Sequence, residues 1–206
     1  GAPALRDEDH RDLAKRTAAY AAELRGGIAK LGQLASCRPD LVGPIWAGEL
    51  ATLQDEVPPV DASAIRARIE LELGKKIEEV RLATSGAGAA GIACLDMLVA
   101  LGMKPEHILA VDRDGVLYTG REHLDPDKQR YARDTDKRSL AEIVAGADIF
   151  LGLSAGGVLK PEMVAAMAER PIILALANPY PEILPEDARA VRPDCIIATG
   201  RRDYPN

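Results

Sequence analysis

The chain has 206 residues, enough for one domain or two small ones. It is 47% hydrophobic and 28% charged, with a net charge of −6 and no block of basic residues, which leaves nucleic-acid or anionic-membrane binding without an electrostatic basis. Aromatic residues make up only 3%, so the core must be built from Ala, Leu, Ile and Val.

From Asp7 to about Leu34 the pattern predicts helix, with Leu13, Tyr20, Leu24, Ile28, Leu31 and Leu34 at helical spacing and Gly26-Gly27 breaking the run in two. Arg38-Pro39-Asp40 is expected to end it. A second helix is predicted over Pro44–Gln54, with Ile45, Leu50 and Leu53 inward, closed by Val57-Pro58-Pro59. Asp61 is a good N-cap for a third, striped by Ile65, Ile69 and Leu73 and stopped by Gly74. The rhythm then changes. Strands are predicted over Val80–Ser85, Ile108–Asp112, Ile149–Leu153, Ile172–Leu176 and Cys195–Ala198. Helices are predicted between them over Ala90–Leu101, Leu140–Ala145, Pro161–Glu169 and Pro185–Val191. This alternation predicts an α/β fold, a doubly wound, parallel, Rossmann-like sheet preceded by an all-α segment. The expected division is 1–75 helical and 76–206 dinucleotide-binding. Tyr118–Arg138 is polar and reads as a surface excursion, helical around Pro126–Arg133.

The cysteines Cys37, Cys94 and Cys195 form no Cys-x-x-Cys pair, and His10, His107 and His123 stand apart, so neither a disulfide framework nor a metal site is expected. No apolar run approaches the ~20 residues needed to span a bilayer, and the Asp/Arg/Glu-rich start lacks a signal-peptide core. A soluble, cytoplasmic protein is expected.

The segment Gly86-Ala87-Gly88-Ala89-Ala90-Gly91 fits G-x-G-x-x-G between a predicted strand and a predicted helix, the context a dinucleotide fingerprint requires. The first glycine permits the tight turn, the second lets the backbone approach a pyrophosphate, and the third lets helix pack on strand. Free N–H groups at the helix start face the anion. Asp112, at the end of the second predicted strand, stands where an acid bonds the adenosine ribose. Its carboxylate favours NAD by repelling a 2′-phosphate, whereas Arg113 offers that phosphate a partner; the cofactor is NAD or NADP.

These residues carry a wider likeness. Ser85-Gly-Ala-Gly-Ala-Ala-Gly91, Tyr118-Thr-Gly-Arg121, Ala147-Asp-Ile-Phe-Leu-Gly-Leu-Ser154, Ala175-Leu-Ala-Asn-Pro179 and Ala198-Thr-Gly-Arg-Arg-Asp-Tyr-Pro-Asn206 resemble the nicotinamide-cofactor domain of bacterial malic enzymes, the oxidative decarboxylases of malate. The resemblance implies that Ser85, Gly86, Ala87 and Gly88 cradle the cofactor phosphates. It also implies that Gly152 and Ser154 lie beside the cofactor and that Asn178 approaches both nicotinamide and substrate. Malate and pyruvate are the implied substrate and product, and a homo-oligomer is compatible with the likeness. The family also needs a divalent cation, Mg or Mn, and a lysine–tyrosine acid/base pair. These lie upstream in the family, and no counterpart of the acidic ligands stands before Ser85 in this chain. The family continues past the counterpart of Asn206 with an Asn-rich stretch that contacts malate. Dinucleotide binding without malate turnover is therefore expected.

Residues 1–75 resemble something else. Ala29-Lys30-Leu31-Gly32-Gln33-Leu34, Arg38-Pro39-Asp40-Leu41 and Leu53-Gln54-Asp55-Glu56-Val57-Pro58-Pro59 are similar to the N-terminal extension of the atypical kinase-like family of ubiquinone biosynthesis, in which Lys-x-Gly-Gln folds over a nucleotide site. Lys30, Gly32 and Gln33 match that element. No kinase phosphate loop follows Gly74, so phosphate transfer is not expected. A chimera joined near Gly74-Lys75-Lys76 is the implied origin. An ATPase-regulatory fragment and a non-catalytic interaction protein are the rival readings.

Overall fold

The computed structural model describes residues 6–24, 26–55, 61–201 and 204. The chain forms two units, divided between residues 60 and 61. The expected turn at Val57-Pro58-Pro59 lies outside the described residues, as do 202, 203, 205 and 206 of the final motif.

The first unit is helical: α1 (Asp7–Leu24), α2 (Gly26–Ser36), α3 (Pro39–Val42), α4 (Pro44–Leu50) and α5 (Thr52–Asp55). Asp7, Glu8 and Asp9 occupy the first turn of α1, where acids face the positive end of the helix dipole. α2 stops at Ser36, just before the expected end at Arg38-Pro39-Asp40, and Pro39 opens the next helix, as does Pro44; a first helical position needs no backbone donor. The helix expected from Pro44 to Gln54 is interrupted at Ala51, which caps α4. Small residues form the core. Ala14, Ala18 and Ala21 of α1 are buried, as are Leu50 and Leu53, while Ile45 is only half-buried. The larger side chains of the sequence pattern face out: Leu13, Tyr20, Leu24, Ile28, Leu31 and Leu34 are all exposed. Alanine on the inner face lets helices approach closely, so the alanine stripe, rather than the leucine stripe, faces the core. Gly32 lies against the Leu53 side chain with no room for a Cβ, and Gln33 Nε2 donates to Leu53 O at 2.7 Å. Lys30 is exposed.

The second unit begins with α6 (Ala62–Leu73). Asp61 caps it by accepting from Ser63 N at 2.8 Å, and Gly74 ends it at φ +63°. A 3-10 turn over Ile77–Glu79 leads to β1 (Leu82–Ser85), α7 (Ala89–Ala100), β2 (Ile108–Asp112), β3 (Gly115–Val116), α8 (Pro126–Gln129) and α9 (Leu140–Val144). The chain continues through β4 (Ile149–Gly152), α10 (Pro161–Ala165), β5 (Ile172–Ala175), α11 (Pro185–Val191) and β6 (Ile196–Ala198). The six strands run in the order β3-β2-β1-β4-β5-β6. All pairs are parallel except β2–β3. The sequence pattern missed β3, a two-residue strand without periodicity, created by a reversal in which Gly115 takes φ +114°.

Side chains alternate between two covered faces, as a doubly wound sheet requires. Ala83, Val111, Phe150, Ile173 and Ala175 join Ile143, Val144, Val164 and Ala188 of the helices on one face. Leu82, Ile108, Ala110, Ile149 and Leu151 join Ile92 and Leu95 of α7 on the other, with Ile69 and Leu73 of α6 packed alongside. Ile65, the first residue of the expected stripe, is 37% exposed. The polar excursion after Tyr118 is pinned back by a bridge to Arg133, by Arg130 paired with Asp96, and by the Tyr131 hydroxyl donating to Asp96 at 2.6 Å.

Asp148, buried immediately before β4, accepts from Lys75 Nζ at 2.5 Å and from Arg81 N at 2.9 Å. Lys75 is the only cation paired with it among the described residues. Replacing Lys75 by Met strands a buried carboxylate. We expect a loss of about 1–3 kcal/mol, since the lysine is partly solvated, read as a lower urea midpoint with unchanged slope.

Candidate functional site

β1 pairs with β2 on one side and β4 on the other, and the connections leave toward opposite faces. A crevice opens at such a switch point, beyond the carboxyl ends of the strands. It measures about 470 Å³ and is lined by the glycine loop, by the end of β2 and by Ser154, Ala155 and Val158.

Backbone proximity fixes the loop. Gly86 takes φ +111°, and a Cβ there would come 2.5 Å from Leu153 O. Gly91, in the first turn of α7, leaves no room for a Cβ against Gly86 O. Gly88 is different: its backbone is extended (φ −83°, ψ −174°) and a Cβ would meet nothing within 4 Å. That open volume over the start of α7, whose first N–H groups have no helical acceptor, fits a pyrophosphate. Ser85 closes the strand end, its hydroxyl 2.7 Å from that of Ser154.

Asp112 stands at the end of β2, facing the same crevice. Its Oδ1 accepts from Arg121 Nη2 at 2.7 Å and from Asp114 N at 3.0 Å, and its Oδ2 from Lys128 Nζ at 3.0 Å. Asp112 and Arg121 are each 11% exposed. Burial pushes the carboxyl up, but the bonds from Arg121 and Lys128 outweigh it and hold Asp112 below the usual carboxylate range. The acid is therefore ionised and already compensated by two cations. Arg113 is exposed on the rim beside Lys128.

Ser85, Gly86, Ala87, Gly88, Asp112, Arg113 and Ser154 thus line one crevice. Ala89 and Gly91 form the first turn of α7 beneath it. Gly152 and Asn178 do not line it. Gly152 faces the carboxyl of Glu182, and Asn178 is exposed in the loop after β5, joined to Pro179 by a cis peptide. Sequence reasoning missed Lys128, Ala155, Val158 and Glu182. Lys128 sits in the stretch without periodicity. Nothing in the local pattern marked Glu182, which is buried and accepts from Ser154 N and Ala177 N at 3.0 Å each. Among the described residues no three His, Cys, Asp or Glu side chains gather as a metal site.

A glycine turn opening a helix at the switch point, with an acid at the tip of the neighbouring strand, is the arrangement of a Rossmann-type dinucleotide-binding domain. The family model for the malic enzyme NAD-binding domain matches residues 59–202. The chain belongs to the malic enzyme family, of which it carries the NAD-binding domain. It is 56% identical over 146 residues to an NAD-dependent malic enzyme of Rhizobium meliloti, covering 70% of this chain and 19% of that protein. It is 56% identical over 149 residues to an NADP-dependent malic enzyme of Haemophilus influenzae, covering 71% and 20%. Among solved structures, the NAD-dependent malic enzyme of Thermotoga maritima matches at 39% identity and a TM-score of 0.61, over 70% of this chain and 40% of that one. The malic enzyme of Entamoeba histolytica matches at 35% identity and a TM-score of 0.61, over 70% and 31%. The chain spans about a fifth of the length of these two curated relatives.

Gly88→Val tests the loop. The backbone there suits a β-branched residue, so the fold survives, but the side chain enters the open space over the start of α7. NAD(P)H affinity, by fluorescence titration, is expected to fall at least tenfold, about 1.4 kcal/mol, while the chain still unfolds cooperatively at a modestly lower temperature, because valine is a poorer N-cap for α7 than glycine.

Proposed function

We propose that the crevice holds NAD(P) for the oxidative decarboxylation of malate, and that this chain by itself binds the dinucleotide without turning malate over. Bound nicotinamide accepts hydride from C2 of malate; the resulting oxaloacetate loses CO₂ to give pyruvate. Gly88 and the start of α7 hold the pyrophosphate, Asp112 and its cations hold the adenosine ribose, and Ser154 and Asn178 flank the nicotinamide end. The observation that carries the reading is the side-chain-free volume over Gly88 at the switch point. The described residues offer no acidic cluster suited to the divalent cation. Without it and a proton-transfer pair, each worth about 10² or more in rate, turnover falls to background. Fluorescence titration with NADH and NADPH, alongside a malate assay with Mg²⁺ or Mn²⁺, tests both halves. Tight cofactor binding without NAD(P)H production is expected, and steady metal-dependent production would overturn the inactive half. ATP in the same titration tests the kinase-type reading of Lys30, Gly32 and Gln33, for which no binding is expected.

The cofactor that best fits the ribose end is NADP. Arg121 and Lys128 neutralise the Asp112 carboxylate, which removes the repulsion that would exclude a 2′-phosphate, and Lys128 and Arg113 both line the crevice there. Lys128→Ala removes a phosphate partner and uncovers the acid at once. The NADPH dissociation constant is expected to rise about tenfold or more while that of NADH moves less than about threefold. Equal effects on the two cofactors would place the discrimination elsewhere.

A further inference from the structure

Glu182 is fully buried at 0% exposure, and no cation pairs with it among the described residues. A carboxylate in such a place is costly, and an apolar side chain would fill the space more cheaply. What a carboxylate alone supplies is two acceptor atoms back to back. Both are used: Oε1 takes Ser154 N–H and Oε2 takes Ala177 N–H, each at 3.0 Å. The carboxyl fits only because residue 152 is glycine; a Cβ there would collide with it.

These two donors sit where the sheet gives out. Leu153 N still bonds Ser85 O at 2.8 Å, and Leu176 N still bonds Gly152 O at 3.0 Å. One residue further, Ser154 and Ala177 have passed the ladder, and their N–H groups need other acceptors. Glu182 bridges the gap between the ends of β4 and β5. The tie extends to β1, because the Ser154 and Ser85 hydroxyls are 2.7 Å apart. Ala177 directly precedes Asn178. The ends of β1, β4 and β5 are thus joined in one chain of hydrogen bonds through Glu182, and the first two of them line the crevice at Ser85 and Ser154.

We propose that Glu182 is a positioning residue for the nicotinamide half of the cofactor, setting the separation of the loops that carry Ser154 and Asn178. The proposal rests on reading the crevice as the dinucleotide site. It concerns spacing rather than chemistry: Glu182 is fully buried and does not line the crevice. The end of β2, Gly88 and the start of α7, which hold the ribose and pyrophosphate in this reading, lie outside that chain of hydrogen bonds, which reaches the glycine loop only at Ser85.

Glu182→Gln preserves size but leaves one acceptor oxygen and turns an NH₂ group toward the other backbone donor. NADPH and 2′-phospho-ADP-ribose, which lacks the nicotinamide ring, would be titrated into the unmutated chain and this variant. The expected result is an NADPH dissociation constant raised about tenfold with 2′-phospho-ADP-ribose within about twofold. Equal weakening of both ligands would reduce Glu182 to a general structural role, and no weakening of either would show that the bridge does not matter; both outcomes overturn the proposal. Amide hydrogen exchange on the unmutated chain gives a reading independent of how the variant folds. Ser154 and Ala177 are expected to be protected, and exchange at loop rates would refute the bridge. Failure of the unmutated chain to bind either ligand would strike the cofactor assignment itself, and this proposal with it.

Discussion

Two backbone segments must come closer than any side chain allows at the end of β1. Gly86 lies against the Leu153 carbonyl and Gly91 against that of Gly86, with a Cβ excluded at both positions. The first approach brings the glycine loop beside the end of β4, and the second draws the start of α7 beneath it. The crevice and the direction of α7 both follow. Gly88, between them, has no such restriction: a Cβ there would meet nothing within 4 Å, so packing does not require a glycine at this position.

Charge is handled differently along β4 and at the tip of β2. Asp148, before β4, is neutralised by Lys75 and acts as an anchor for the chain entering the sheet. Glu182, at the opposite end of β4, has backbone donors and, among the described residues, no cation, so its contribution is directional. Asp112 has two cations and still faces the crevice, so the potential there is set by Arg113, Arg121 and Lys128 as much as by the acid. A carboxylate at the end of β2 therefore does not by itself dictate the absence of a ribose phosphate.

The helical unit shows how far apolar spacing can mislead. Large apolar residues (Leu13, Tyr20, Leu24) and alanines both recur at helical intervals in α1, and Ala14, Ala18 and Ala21 are the buried set. A spacing rule weighted by side-chain size selects the leucines. The inner face is decided by how closely α1, α2 and α4 approach, and that is a property of the packed helices. Gly32 and Gln33 illustrate the same point: they tie α2 to Leu53 within this unit, one by lacking a side chain and the other by a bond to a backbone carbonyl.

The sequence by itself determined what depends on local backbone geometry. The alternation of apolar strands and helices, the glycine turn from β1 into α7, the capping of α6 by Asp61 and Gly74, and the acid ending β2 were all legible, because each is fixed by residues a few positions apart. Strand ends shifted by a residue or two, as at Leu82 and Gly152, because the ladder stops where neighbours diverge. The tertiary structure alone decided what depends on distant partners. Arg121 and Lys128 reach Asp112 across the polar excursion, which has no periodicity to read. Lys75 reaches Asp148 across 73 residues, and Glu182 reaches Ser154 across 28. A buried charge is stable only where its partners converge, and that convergence is created by the fold rather than by spacing along the chain.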